Sequence, residues 1–316
     1  MKVTMLPHWS LLAEIFMTKI KYGRWNIKRL LAGWTENITT EMNQTYNYMG
    51  ITGISDRAEL MAVVERCGSL SLPTGYFLNI GILLSHQTFS GCEPRIGKYP
   101  QKHEAYELLK SIPPSWKAII HYNTNVEISL SEQVSAILSH KSVYDNNICR
   151  AIQLNVKSPN QLELKRIRSM FPDLSIVLQV PLWRDDLASL ESMLRFLLPY
   201  ADTATHFLFD PSGGRGTGLS SDCLQLISAA SHKFPEHIGI AVAGGLCGDN
   251  VYEFCKRLFD FIGCRFSFDA EGKLRGGKLD GVKVGDKLNP DKVADYVANG
   301  LRAIEWIEKG VKLSIS

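Results

Sequence analysis

The sequence predicts a (β/α)8 barrel. Strand and helix signals alternate eight times over about 270 residues, and the residues able to do chemistry gather where predicted strands end. A doubly wound open sheet is the competing architecture, but it carries a Gly-rich fingerprint after its first strand, and none is present here.

Each element has its own local reason. Tyr48–Thr52 is a short apolar run closed by a turn, and Ser55 then reads as the N-cap of a helix over Arg57–Arg66, with Leu60, Met61, Val63 and Val64 as its apolar face. Tyr76–Leu84 is the second strand, and the helix after it, Gln101–Ser111, stops before Pro113-Pro114. Lys117–Tyr122 is the third strand with Ser131–Ser139 as its helix, and Ala151–Val156 the fourth with Pro159–Phe171. Ser175–Val180 is followed by Leu187–Leu198, and His206–Phe209 by a glycine-rich loop. Ile238–Ala243 is the seventh strand, with a helix from Asn250. Gly263–Phe268 is the eighth, and a last helix runs from Pro290 to about Glu308.

Composition narrows the function. Of 316 residues, 45% are apolar and 21% charged, the balance of a soluble globular protein. No apolar run approaches the ~20 residues needed to span a bilayer, so no membrane span is expected. The seven cysteines show no paired Cys-x-x-Cys spacing, which points to reduced thiols and a cytoplasmic location rather than disulfides or zinc. Residues 1–48 hold six basic and three acidic side chains, so the whole net charge of +3 lies there, and nucleic acid is not an expected partner of the rest. Two domains follow: an extension over 1–47 and a barrel over 48–316. The extension, basic and apolar, reads as an appended tail, disordered or lying upstream of a natural start at Met42; an amphipathic surface helix or weak targeting segment is the alternative.

The chemistry concentrates in two strand–turn pairs. Asp210 stands at the end of the sixth strand, and the loop behind it, Pro211–Gly218, has four glycines in eight positions. Such a loop can bring backbone N–H groups against a ligand, with Arg215 as an anion clamp or as a solvated loop charge. The seventh strand runs into Gly244-Gly245-Leu246 and then a helix, an arrangement suited to an anion. Asp210 as a mere turn or capping residue is the bland alternative.

In order, Gly50-Ile51-Thr52, Ile152-Gln153-Leu154, Leu208-Phe209-Asp210 with Gly216-Thr217-Gly218 and Asp222, Gly244-Gly245-Leu246 with Asn250-Val251, and Gly277–Asp280 make the chain from Tyr48 onward resemble phosphoribosylanthranilate isomerase, a tryptophan-biosynthesis barrel. The resemblance implies an aldose–ketose (Amadori-type) isomerisation of a phosphorylated sugar derivative, with no cofactor and no metal. It makes Asp210 the general acid at the sugar ring oxygen. It puts phosphate on Gly216, Thr217, Gly218, Gly244, Gly245 and Gly272.

Three positions depart from the family. Met49 stands where the family has its Cys base, and a thioether takes no proton at neutral pH. Gln87 stands at the Arg that meets the anthranilate carboxylate, and lacks the charged fork. Asn155 replaces a His. Met49, Gln87, Asn155 and Arg215 are thus the expected substrate contacts. The family's Ser-Ser-Gly phosphate turn reads Asp269-Ala270-Glu271-Gly272, whose carboxylates would repel a phosphate unless Lys273 or Arg275 compensates. His86 and His121 are the candidates to replace the base, or else polar rim residues; Cys67 and Cys92 are not placed to do so. Two functions follow: an isomerase-like enzyme on a small phosphorylated or anionic metabolite, or a phosphate-ligand binding barrel without catalysis. No oligomeric state is implied.

Overall fold

The computed structural model describes residues 46–90, 98–126, 129–182, 184–211, 220–279, 282–283 and 285–315. Its elements run β1 (Asn47–Thr52), α1 (Arg57–Cys67), β2 (Tyr76–Ser85), α2 (His86–Phe89), α3 (Lys102–Ser111), β3 (Lys117–Asn123), α4 (Leu130–Ser139), β4 (Ala151–Asn155) and α5 (Gln161–Met170). They continue with β5 (Ser175–Pro181), α6 (Leu190–Leu197), β6 (His206–Asp210), α7 (Ser221–Ser231), β7 (Gly239–Val242), α8 (Val251–Ile262), β8 (Ser267–Ala270), β9 (Lys278–Leu279), β10 (Val282–Lys283) and α9 (Pro290–Ile315). Strands β1 to β8 form a closed barrel in sequence order, every pair parallel, and β1 closes on β8 through Met49↔Phe268, Gly50↔Asp269 and Ile51↔Ala270. The chain is a (β/α)8 barrel.

Alternation along each strand sorts side chains into two compartments. Tyr48, Ile119, Ala151, Val177, Leu208 and Ala241 form an apolar cluster inside the barrel. Met49, Ile51, Ile80, Ile82, Ile120, Ile152, Leu154, Phe207 and Phe209 belong to the larger core between barrel and helices. Helix α9 supplies Val293, Val297, Ile304, Ile307 and Val311 to that core at helical spacing. Where it crosses β1 it carries Gly300, and a Cβ there would lie 2.4 Å from Met49 Sδ.

Several ends differ from expectation, each for a local reason. Helix α1 is capped by Asp56, which accepts from the Glu59 backbone N–H, while Ser55 donates its N–H (2.6 Å) and hydroxyl (3.0 Å) to the Glu59 carboxylate. Gly263 is not a strand start: at φ 71° it is the left-handed cap that ends α8, and β8 begins only at Ser267. Strand β6 includes Asp210, and β8 runs through Asp269, so neither acid lies in a turn. The short helix α2 and the β9–β10 hairpin have no counterpart in the sequence reading. Among the described residues no helix is long and apolar enough to cross a membrane.

Candidate active site

Above the apolar cluster the inward positions turn polar. Thr52, His121, Gln153, Gln179, Asp210 and Asp269 come from six different strands, and all are buried. Parity explains the grouping: Tyr48 and Thr52 are two apart from Gly50, Leu208 and Asp210 two apart, Ser267 and Asp269 likewise. The strands' C-terminal ends therefore hold a cup whose floor is hydrocarbon and whose wall is amide, hydroxyl, imidazole and carboxylate.

Hydrogen bonds split the cup into two halves. Gln179 Nε2 donates to Asp210 Oδ2 at 3.0 Å. Across the barrel, Thr52 Oγ1 donates to Asp269, at 2.9 Å from Oδ1 and 3.0 Å from Oδ2. His121 Nε2 lies 3.2 Å from the same Thr52 oxygen. Since that hydroxyl proton goes to the carboxylate, the network assigns the imidazole proton to Nε2, which donates to Thr52. Two glycines make this possible. A Cβ on Gly50 would sit 2.2 Å from Asp269 Oδ1, and one on Gly81 would sit 2.6 Å from Thr52 Oγ1 and 2.8 Å from His121 Nε2.

Burial dominates the electrostatics. It pushes the Asp269 carboxyl up to about 7; the Thr52 hydrogen bond and the Ala270 backbone N–H pull it back, and the negative charges of Glu271 and Asp210 add to the rise. Burial pushes His121 down to about 3, so its ring is neutral at physiological pH. The amide oxygens of Gln153 and Gln179 and the hydroxyl of Tyr48 are buried without a hydrogen-bond partner. A polar atom left so is costly unless water or a ligand meets it. No group of three or more His, Cys, Asp or Glu among the described residues could hold a metal ion.

No protein-family model matches the chain, and no curated protein does. Solved structures resemble it. The phosphoribosyl anthranilate isomerase of Thermotoga maritima gives a TM-score of 0.53 at 17% identity, over 81% of this chain and 98% of that one. A phosphoribosyl anthranilate isomerase in complex with reduced 1-(o-carboxyphenylamino)-1-deoxyribulose 5-phosphate gives 0.51 at 17%, with the same coverage. A putative spore coat polysaccharide biosynthesis protein E from Chromobacterium violaceum gives 0.51 at 15%, over 82% and 75%. The fold is a phosphoribosylanthranilate-isomerase-like barrel. At these identities the likeness is one of fold, and the differently named third neighbour shares it.

In this barrel the expected site residues scatter. Asp210 is in the cup. Met49 is not: it is fully buried in the outer core, against α9, because it lies one residue out of phase with Tyr48, Gly50 and Thr52. Its expectation as a substrate contact is corrected on that ground. Gln87 is exposed on α2 and Asn155 is exposed at the end of β4, both beyond the buried cup. Arg215, Gly216, Thr217 and Gly218 lie outside the described residues, as do Cys92 and residues 1–45.

The Gly-Gly turn is present after β7, with Gly244 at φ 115° and Gly245 at φ 67°, conformations that favour glycine. It does not feed the helix directly. Asn250 intervenes, donating from Nδ2 to the Gly245 carbonyl and accepting the Cys247 N–H, both at 2.9 Å, and α8 starts at Val251. Gly272 is exposed in a one-turn 3-10 helix, Gly272–Leu274. Beside it Glu271 is met by Lys98 Nζ at 2.7 Å and Arg275 Nε at 3.5 Å, so the compensating cations are Lys98 and Arg275, while Lys273 is exposed. Of the two histidines, His121 enters the cup; His86 sits outside it on α2, 3.4 Å from the Tyr122 hydroxyl. Asp269, Thr52, Gln153 and Gln179 are cup residues the sequence reading missed. The available signal was the alternation Ser267-Phe268-Asp269, polar on either side of a buried aromatic.

Proposed function

We propose that the protein is an isomerase-type enzyme that opens and rearranges a phosphorylated sugar derivative, with Asp210 as general acid. One observation carries the reading: Asp210 is buried inside the barrel at the end of β6, oriented by Gln179, in a cup whose unpartnered amide oxygens suit a ligand rich in hydroxyls. Phosphate is assigned to the Gly244–Gly245 turn, with Gly272 and, as the sequence resemblance implies, Gly216, Thr217 and Gly218. The solved neighbour bound to a deoxyribulose 5-phosphate derivative supports a ligand of that class here.

The second reading is a phosphate-ligand binding barrel without turnover. It is favoured by Met49, buried in the outer core where it can take no proton, and by Gln87, exposed on α2 without the charged fork that a carboxylate prefers. Phosphoribosylanthranilate fluorescence separates the two. The enzyme reading expects a loss of fluorescence that Asp210→Asn abolishes. Persistent fluorescence, together with binding of the reduced carboxyphenylamino-deoxyribulose phosphate, establishes the binding barrel instead.

A further inference from the structure

The isomerisation needs a second group, because one proton must leave C2 while another reaches the ring oxygen. Met49 cannot take it. What the structure offers is a strand without a side chain and a carboxylate in the gap. Position 50 of β1 faces inward and is glycine, and Asp269 Oδ1 stands 2.2 Å from where its Cβ would be. The β8 carboxylate thus fills the space of an inward β1 side chain, at the neighbouring position in the ladder. Thr52 grips both of its oxygens, and His121 backs Thr52. Asp210 stands on β6, separated from β8 by β7.

Resting on the function proposed above, we propose that Asp269 is the general base of this site, working opposite Asp210 as the general acid. Asp210 O–H gives its proton to the ring oxygen; the C1–O bond breaks and the nitrogen lone pair closes C1=N. The Asp269 carboxylate takes the proton from C2. The C–H electron pair forms C1=C2 and the C=N π pair returns to nitrogen. The enaminol then loses its O2 proton and gains one at C1. C1 is reduced and C2 oxidised within one molecule, so no outside oxidant or reductant enters. The proton that Asp269 takes up returns to Asp210 through solvent at the mouth, so the site ends as it began.

The charged and titratable neighbours of Asp269 are few. Asp210 of β6 and Glu271 beyond β8 add negative charge, and Lys98 and Arg275 are engaged with Glu271. Tyr48 of β1 and Tyr296 of α9 also feel its charge, and burial holds both well above the ordinary phenol range, hence neutral. His121, pushed down to about 3, is neutral as well.

The test is kinetic, with phosphoribosylanthranilate as substrate and the reduced carboxyphenylamino-deoxyribulose phosphate as binding probe. Asp269→Asn, nearly isosteric, is expected to lower kcat by about 10²–10⁴-fold while KM and probe affinity stay close to wild type. The wild-type rate is expected to rise as pH rises through about 7, where Asp269 becomes the carboxylate that acts as base. Thr52→Val removes a bond that favours the carboxylate, so it should move that limb to higher pH. If Asp210→Asn is dead and Asp269→Asn keeps both kcat and the pH limb, the base is another group; Asp269 fails and the isomerase reading stands. If the wild type binds the probe but never consumes the substrate, the isomerase reading itself fails and the base assignment falls with it.

Discussion

At Gly81 the barrel wall has no room for a methyl group. Its Cβ would press on Thr52 Oγ1 and His121 Nε2, the two atoms that position Asp269. Neither can retreat far: Thr52 is β-branched and tied to the carboxylate, and His121 is buried. Gly81→Ala is therefore expected to cost about 1–3 kcal/mol of stability, the usual range for overpacking. It should also loosen Thr52 from Asp269. Urea unfolding measures the first effect, and the pH limb of activity measures the second, which should move the way Thr52→Val moves it. An alanine variant with wild-type stability and an unmoved limb would show that the wall yields at this point. Gly50 follows the same logic with Asp269 itself as the obstacle, which is why a glycine in an inward position is a site feature here.

Between elements, the contact that decides the base question is β1 against α9. Met49 Sδ occupies the notch left by Gly300, so the residue at the position where the sequence resemblance expects a base is a packing residue. Met49→Cys should accordingly add no thiol to the cup and raise no turnover. It should instead open a cavity in the outer core, costing about 1–3 kcal/mol by the scale of large-to-small core substitutions. Gly300→Ala should be destabilising alone, despite alanine's better helix propensity, and less so in the Met49→Cys background, where the sulfur no longer fills the notch as closely. A double-mutant cycle in urea reads this coupling; additive costs would mean that β1 and α9 do not touch there. The same contact shows what sequence could convey. Eight strands, their order and the closure of the barrel are legible from apolar runs and turn residues. Parity within a strand is not: Tyr48-Met49-Gly50 is apolar throughout, and one residue of phase separates a base from a core side chain. Asp269 was hidden for a related reason. The stretch read as an eighth strand from Gly263 begins at the cap that ends α8, four residues before β8, so from sequence the strand starts too early and its terminal acid reads as part of a turn.

Over the whole molecule, three buried groups on the barrel's interior make stability depend on pH in opposing ways. His206 is held down at about 4 and His121 at about 3, chiefly by burial. Unfolded, each titrates near the ordinary value of about 6.5. The unfolded chain therefore binds more protons below that value, so the histidines' contribution is complete above about 6.5 and is lost as pH falls toward their folded values. Asp269 has the opposite sign. Its folded value, about 7, lies above the unfolded one of about 3.9, so it favours folding at low pH, and that contribution is lost as pH rises through 7. Between about pH 4 and 6.5 two histidines outweigh one aspartate, and stability should fall with acid. Glu163, whose carboxylate accepts from Ser131 and is held low, enters only below its unfolded value of about 4.3. His206 is the place to test this, because it lies at the lower end of the barrel against the Tyr46 carbonyl, away from the cup. His206→Gln should reduce the acid-induced loss between pH 7 and pH 4 by about 3 kcal/mol, the worth of its shift, without touching the activity limb. Asp269→Asn should do the reverse, steepening the acid loss below about pH 6.5 and flattening the curve between about pH 6.5 and 7. Urea midpoints across that range measure both. Parallel curves for wild type and His206→Gln would mean that this histidine keeps its ordinary value in the folded protein, the Tyr46 carbonyl stabilising its charge as much as burial opposes it.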